Sequence, residues 1–401
     1  MHHYDMCIVG AGIAGLYAGY EWKKHNTGKI IVIEAGKSAG GRLETARFAG
    51  LSVPLGAGIG RLEKDARLLA LLEELGLEKR VFPRQVNYIG VGHERVKEQM
   101  RALEAGLTED ARQLDFGAYA RRTLGRKEAR DFIEAMGYTD MVRENAWEVV
   151  RHYGLDDNVN VGDGLAHGVG IDWLALTKAL VKAIGPKRFL YDTRVTHMTS
   201  TDYANANANA NATVTVHTPY GHLIAKRVIV AVTAPVLRQL FPRVREYRCL
   251  QSQPFVRVYA KFAKASRDMM AERVTAYTVV PKPLQKVIPM DARKGVYMIA
   301  YADNASARAL KNKLDDTDAN RAWFARLLER TLGLTRGSLE ISNMRGKYWE
   351  DGTHFVKAGA SYDAAFWERA RNPAQGIRVV GEAVAARDRG WVEGALQTIE
   401  E

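Results

Sequence analysis

The opening of the chain constrains its fold more than any other stretch. Tyr4–Val9 (YDMCIV) reads as a short buried strand, and Gly10-Ala11-Gly12-Ile13-Ala14-Gly15 follows it without a gap. An amphipathic run to His25 is stopped by Asn26-Thr27-Gly28, and a second apolar strand, Lys29–Ile33, ends on Glu34. Strand, glycine turn, helix, strand and acid in this order form a βαβ unit suited to a dinucleotide. Gly10 serves the tight turn, Gly12 lets the backbone approach a diphosphate, and Gly15 lets the helix lie close to the sheet. The helix N-terminus offers free N–H groups and a partial positive charge to the phosphates. Glu34 stands where an acid can accept from ribose hydroxyls. A carboxylate there repels a 2′-phosphate, so an ADP moiety without one is expected.

A βαβ unit alone does not choose between a nicotinamide and a flavin. The next segment, Ser38-Ala39-Gly40-Gly41-Arg42-Leu43-Glu44-Thr45, narrows the choice. Two glycines before an arginine can bring a second stretch of backbone and a guanidinium against the same diphosphate.

The 401 residues suffice for a sizeable core, and two domains are the reasonable expectation. The 47% hydrophobic and 26% charged residues are those of a globular protein, and no apolar run approaches bilayer length. Two cysteines, Cys7 and Cys249, exclude a disulfide framework and a cysteine zinc site. The first strand begins so near residue 1 that no signal or transit peptide is expected. Together these point to a soluble, cytoplasmic protein with no membrane partner. The formal charge of +12 is spread along the chain without a dense basic tract, so it reads as a solvated surface, and no nucleic-acid partner is expected.

From Lys64 to about Asn158 the pattern is helical and charged, with Leu68, Leu71, Leu72 and Leu75 on one face and Gly76 as a stop. Asp172 is a plausible N-cap for a helix ending at Gly185-Pro186. Strand-like runs follow at Phe189-Leu190-Tyr191, Arg194-Val195-Thr196, Thr213–His217 and Lys226–Val232. The alternating Ala/Asn tract at Ala204–Ala212 reads as a variable hairpin loop. Gln253–Phe262 and Val296–Tyr301 read as strands of a second sheet, and Asp318–Leu332 as an amphipathic helix. The chain closes with Ile377–Val380, Gly381-Glu382 and Gly390-Trp391-Val392-Glu393-Gly394-Ala395. The dinucleotide-type elements thus lie at the start, middle and end of the chain.

In these ordered motifs the chain resembles the flavin-containing amine oxidase family, which includes monoamine and polyamine oxidases, L-amino-acid oxidases and flavin-type histone lysine demethylases. The resemblance covers nearly the whole length. It implies an α/β fold whose Rossmann-like FAD-binding domain is built from three segments (1–63, 160–240 and 349–401). An inserted α+β substrate domain, a mixed sheet with a helical subdomain, is implied for 64–159 and 241–348. Val53-Pro54-Leu55-Gly56-Ala57 resembles the stretch beneath the flavin, with Gly56 and Ala57 at the cofactor. Thr193-Arg194-Val195 is similar to the strand whose valine backbone contacts adenine. The resemblance also implies that Glu382, after Gly381, accepts from a ribityl hydroxyl. It implies further that Trp391 and Val392 open a helix aimed at flavin N1 and C2=O, where reduction places negative charge.

Departures from the family pattern shape the expectations further. Pro54 stands where an acid is usual, and no cysteine follows Cys249, so the FAD is expected to be noncovalent. Arg257 occupies the strand position where many members carry a lysine that holds a water near flavin N5. Lys261, four residues on and on the same strand face, is the alternative for that role. Trp349 resembles the tryptophan under the isoalloxazine, and Trp391 matches one of two cage aromatics. The second is expected near Gly359, with Phe355 or Tyr362 as substitutes. The resemblance implies hydride transfer from a C–N bond of a small-molecule amine to flavin, with reoxidation by oxygen to hydrogen peroxide. One alternative is a protoporphyrinogen-oxidase-like or desaturase-like flavoenzyme with an acidic or apolar substrate, which Arg257 favours. Another is a non-redox flavin-binding mutase or a degenerate flavin scaffold, against which Gly40-Gly41-Arg42 and the closing motif argue.

Overall fold

The computed structural model describes residues 3–153, 167–200 and 213–400. The Ala/Asn tract lies outside them. The opening strand, His3–Val9, is flanked in parallel by Ile30–Ile33 on one side and Gly221–Val230 on the other. Ile30–Ile33 pairs onward with Phe189–Leu190. The strand Gly221–Val230 is shared along its length. Its first half pairs antiparallel with Val214–Thr218, and its second half pairs in parallel with Ile377–Val379. His197–Ser200 completes a seven-stranded sheet.

Both faces of this sheet are covered, which explains why its parallel strands are apolar throughout rather than alternating. Met6, Ile8, Ile30 and Val32 pack against the helices Ile13–His25, Ala66–Glu74 and Trp173–Ile184. Their neighbours Cys7, Val9, Ile31 and Ile33 enter a second core with Leu237, Phe366 and Trp367. Asp172 caps the helix Trp173–Ile184 by accepting from the Ala175 N–H. Gly15 has a packing job: a Cβ on it would lie 1.9 Å from the Gly10 carbonyl oxygen.

A six-stranded sheet runs Ile341–Val356, Leu250–Phe262, Val296–Asp303, Lys286–Asp291, Tyr277–Val279 and Val86–Tyr88. Val256, Val258 and Ala260 face a core with Phe324, Leu328 and Leu332 of the helix Asp318–Leu332. Thr317 caps this helix by accepting from the Asn320 N–H. The intervening residues Phe255, Arg257 and Tyr259 therefore point the other way. Tyr259 packs with Phe48, Val53 and Leu55.

The interleaved segment order is visible in the sheets: strands of the first come from 3–33, 189–230 and 377–379, and those of the second from 86–88 and 250–356. Ile341–Val356 runs unbroken through position 349, where a domain boundary was expected. Two expectations are corrected. The stretch after Lys64 is not helical throughout, because Lys79–Pro83 pairs with His167–Ile171 and Val86–Tyr88 pairs with Tyr277–Val279. Partners so distant leave no local periodicity to read. Arg194, Val195 and Thr196 lie outside any strand, and the strand begins at His197.

Candidate active site

A single cavity of about 530 Å³ links the glycine turn to the second sheet. At one end the opening strand emerges at Gly10, whose φ of +101° and close approach to Ala231 demand glycine: a Cβ there would sit 2.3 Å from the Ala231 carbonyl oxygen. Gly12, Ile13 and Ala14 line the cavity where the first helix starts, and no side chain caps that start. Its first N–H groups therefore have no intrahelical acceptor. Gly40 and Gly41 lie against this turn: the Gly40 N–H donates to the Ala11 carbonyl at 2.8 Å, and Gly12 and Gly40 form an isolated bridge. Two glycine-rich stretches are thus brought face to face on one cavity wall.

Glu34 lines the same end. Its carboxylate accepts from the Ala11 and Gly36 N–H groups, each at 2.7 Å, which fixes its orientation. Val195 lines the cavity beside it. Gly15 does not; it acts by packing. Further along, Gly56 and Ala57 line the wall, with the Ala57 N–H donating to the Arg42 carbonyl at 2.8 Å.

Midway, residues far apart in sequence converge. Arg42 donates to Glu382 at 2.5 Å and to the Gly352 carbonyl at 2.9 Å. The buried Glu382 also accepts from the Gly390 N–H at 3.1 Å and from His354 Nδ1. His354 is itself buried, and its Nε2 accepts from the Ala234 N–H at 3.1 Å. That bond places the imidazole proton on Nδ1, as the bond to Glu382 requires. Burial alone would raise the Glu382 carboxyl, but the partners His354 and Arg42 hold it well below the usual carboxylate range. A carboxylate has about four lone-pair sites, so three donors leave one for a further hydroxyl.

The helix Val392–Glu400 closes this region, with Gly390, Trp391 and Val392 on the cavity. Trp391 is held from behind by Arg61, whose guanidinium lies 4.1 Å from its ring centroid. Arg61 is buried and ion-paired with Asp65 at 2.6 Å and Asp388 at 2.7 Å. Glu393, in the same helix, accepts from the Leu68 N–H at 3.0 Å and so anchors the start of the helix Ala66–Glu74.

The far end is a chamber of side chains. Phe255, Arg257, Tyr301, Trp349, Tyr138 and Asp140 line it. Trp349 donates its indole N–H to the Leu55 carbonyl at 2.7 Å, and Phe255 stands between it and Tyr301, with centroids 6.4 and 6.1 Å apart. Lys261 is not among the lining residues. Although it shares the Arg257 face of the strand, it pairs with Val296 and Asn343 near the strand end, beyond Tyr259. Neither proposed substitute for the second aromatic reaches the cavity: Phe355 is buried, and Tyr362 meets Phe366 edge to face with its hydroxyl on the Lys357 carbonyl. The aromatics that line this end of the cavity with Trp349 are Phe255, Tyr301 and Tyr138.

Sequence reading missed His354, Arg61, Tyr301, Tyr138 and Asp140. The only local signal for any of them was strand membership of Tyr301. Behind the chamber, Lys286 is fully buried and donates to the Gly137 carbonyl at 2.6 Å. Burial pushes its ammonium down to about 7, against the opposing pull of Asp303 and Asp140.

Known proteins share this fold. The sequence model described as flavin containing amine oxidoreductase matches residues 164–398, and that of an NAD(P)-binding Rossmann-like domain matches 8–75. A triple variant of putrescine oxidase, 20% identical, superposes with a TM-score of 0.76 over 99% of this chain and 97% of its own. Cyclohexylamine oxidase from Brevibacterium oxydans IH-35A, 16% identical, gives 0.76 over 99% and 97%. A provisionally assigned protoporphyrinogen oxidase from Exiguobacterium sp. 255-15, 17% identical, gives 0.70 over 100% and 97%. At these identities the solved structures establish a common fold.

Proposed function

We infer, from the premise that this chain belongs to the flavin containing amine oxidoreductase family and is a flavin-dependent oxidoreductase, that it binds FAD noncovalently and oxidises a C–N bond of a small amine. The observation that carries this reading is one continuous cavity with two unlike ends. Glycine backbone and Glu34 line the first, and Trp349, Phe255, Tyr301 and Arg257 line the second. Its volume of about 530 Å³ lies within the usual range for ligand sites.

The residues present fit the cofactor. Gly10, Gly12 and the first N–H groups of the helix Ile13–His25 would hold the diphosphate, with Gly40 and Gly41 opposite. Glu34 would accept from the adenosine ribose, and Val195 would lie against adenine. Arg42 would screen the diphosphate charge while orienting Glu382, whose remaining lone pair would take a ribityl hydroxyl. The helix opened by Trp391 and Val392 supports negative charge by its N-terminal dipole. No cysteine lines the cavity among the described residues, which supports a noncovalent cofactor.

When bound, FAD supplies a hydride acceptor and passes two electrons to oxygen as hydrogen peroxide. The protein's part is positioning. Trp349 and Phe255 give the substrate an apolar wall, and the Leu55 carbonyl fixes the indole. The amine carbon loses a hydride and its nitrogen a proton, and water hydrolyses the resulting imine to a carbonyl and an amine.

The visible spectrum of the purified protein, recorded before and after anaerobic addition of an amine panel, tests this reading. A flavin spectrum bleached by an amine, with peroxide on admitting air, is expected. A flavin spectrum that no amine bleaches removes the amine and keeps the flavoenzyme. A colourless protein that takes up no FAD removes both.

A further inference from the structure

Oxidation of an amine does not call for a permanent cation beside the substrate, yet Arg257 provides one. It lines the chamber and is only 3% exposed. Its guanidinium lies 4.3 Å from the Tyr301 ring centroid and 6.0 Å from that of Phe255. The Pro54 carbonyl is at the outer limit of a hydrogen bond, 3.5 Å from Nη1, and Nε has no partner. The phenols of Tyr301 and Tyr259 are its electrostatic and side-chain hydrogen-bond neighbours, and no carboxylate among the described residues forms an ion pair with it.

Two equally buried arginines show what the fold does with such a charge elsewhere. Arg61 holds Asp65 and Asp388, and Arg389 holds Glu144 at 2.9 Å and Glu148 at 3.3 Å. A guanidinium stays protonated, offers five donors in a fixed fork, and is costly to bury without a counter-charge. At Arg257 the fork lies against the backbone of Gly58, where only a glycine leaves room for it. A Cβ on Gly58 would come within 2.8 Å of Nη2 and 3.2 Å of Nη1. Lys286 is close enough to feel Arg257, and the carboxylates Asp303 and Asp140 act on Lys286 in turn.

We propose that the substrate brings the missing counter-charge: Arg257 is the anchor for a carboxylate on the molecule to be oxidised, so the substrate is an amine that also carries an acidic group. A carboxylate matches the planar fork and can take two parallel N–H bonds from it. Phe255 and Tyr301 supply the apolar flank of the same subsite. The amine half of this statement rests on the reading in the preceding subsection; the acidic half rests on Arg257 alone.

Calorimetric titration of the purified flavin-loaded protein with benzoate and with benzamide tests the anchor, because the two probes differ in charge and hardly in shape. Benzoate is expected to bind at least about tenfold more tightly. Arg257→Gln is expected to erase that preference, and Arg257→Lys, which keeps charge without the fork, to retain part of it. Equal affinity for the two probes, no binding of benzoate, or a preference that survives in Arg257→Gln overturns the proposal. The wild-type comparison needs no variant to fold, and melting curves check that the variants do. A protein that prefers benzoate but oxidises no amine keeps the anchor and loses the amine reading. One that oxidises neutral amines with no preference for benzoate does the reverse.

Discussion

The glycine end of the cavity and the arginine end differ in what forms their walls. At the first, main chain does the work: Gly10, Gly12, Gly40 and Gly41 present bare backbone, and Glu34 is locked on the Ala11 and Gly36 N–H groups. At the second, side chains from separate strands and a helical segment converge: Arg257 and Phe255, Tyr301, Trp349, and Tyr138 with Asp140. Backbone recognition suits a group common to many proteins, because it requires only that side chains be absent. Side-chain recognition suits whatever is particular to one protein. Between the two ends, Arg42, Glu382 and His354 tie segments from the start and end of the chain into one hydrogen-bonded unit.

Substitutions can break this contrast to different degrees. Gly10→Ala is expected to have the largest effect, since it meets both a positive φ and the Ala231 carbonyl. A loss of about 3 kcal/mol of stability and of detectable FAD uptake should appear in thermal melts and flavin titration.

Glu382→Gln comes close behind. It leaves the buried His354 and the half-buried Arg42 without their carboxylate, and about 3 kcal/mol should be lost at neutral pH. The folded-state pKa of Glu382 lies below its ordinary 4.5. Its contribution is therefore fully present above about pH 4.5 and is lost as the pH falls further. Melting curves should show the gap between wild type and variant narrowing below that pH; a constant gap would mean that the carboxylate is not held ionised by its partners.

Lys286→Met sharpens the picture at the arginine end. The Lys286 ammonium falls from 10.5 to about 7 on folding, so between those values the unfolded chain binds more protons. Wild-type stability should gain from this site as the pH rises through that window, and the methionine variant should lack the gain. Denaturant midpoints across the window measure it. Lys261→Ala should do least, changing stability by no more than about 0.5 kcal/mol and FAD uptake by less than about twofold, because Lys261 lies off the cavity.

The same contrast explains how much the sequence disclosed. Gly10–Gly15, Glu34 and Gly40–Arg42 lie within a few dozen residues, and a backbone turn with its helix is a local object. The helix Asp318–Leu332 was legible for the same reason. Gly381-Glu382 and Trp391-Val392 could be singled out only through resemblance, and their partners Arg42 and Arg61 come from the opening segments. His354 gave no signal at all, since a histidine inside a strand is ordinary until Glu382 and the Ala234 N–H are found on its two nitrogens. Lys261 misled because alternation along a strand assigns a face but not a depth.

Sequence by itself determined the βαβ unit, its glycine turn and the interleaving of two sheets, because strand periodicity and main-chain geometry depend on near neighbours. Only the tertiary structure decided which aromatics stand beside Trp349, which imidazole steadies Glu382, and that Arg257 is buried with no carboxylate paired to it among the described residues. Those facts depend on distances between residues hundreds of positions apart, and such distances exist only once the chain has folded.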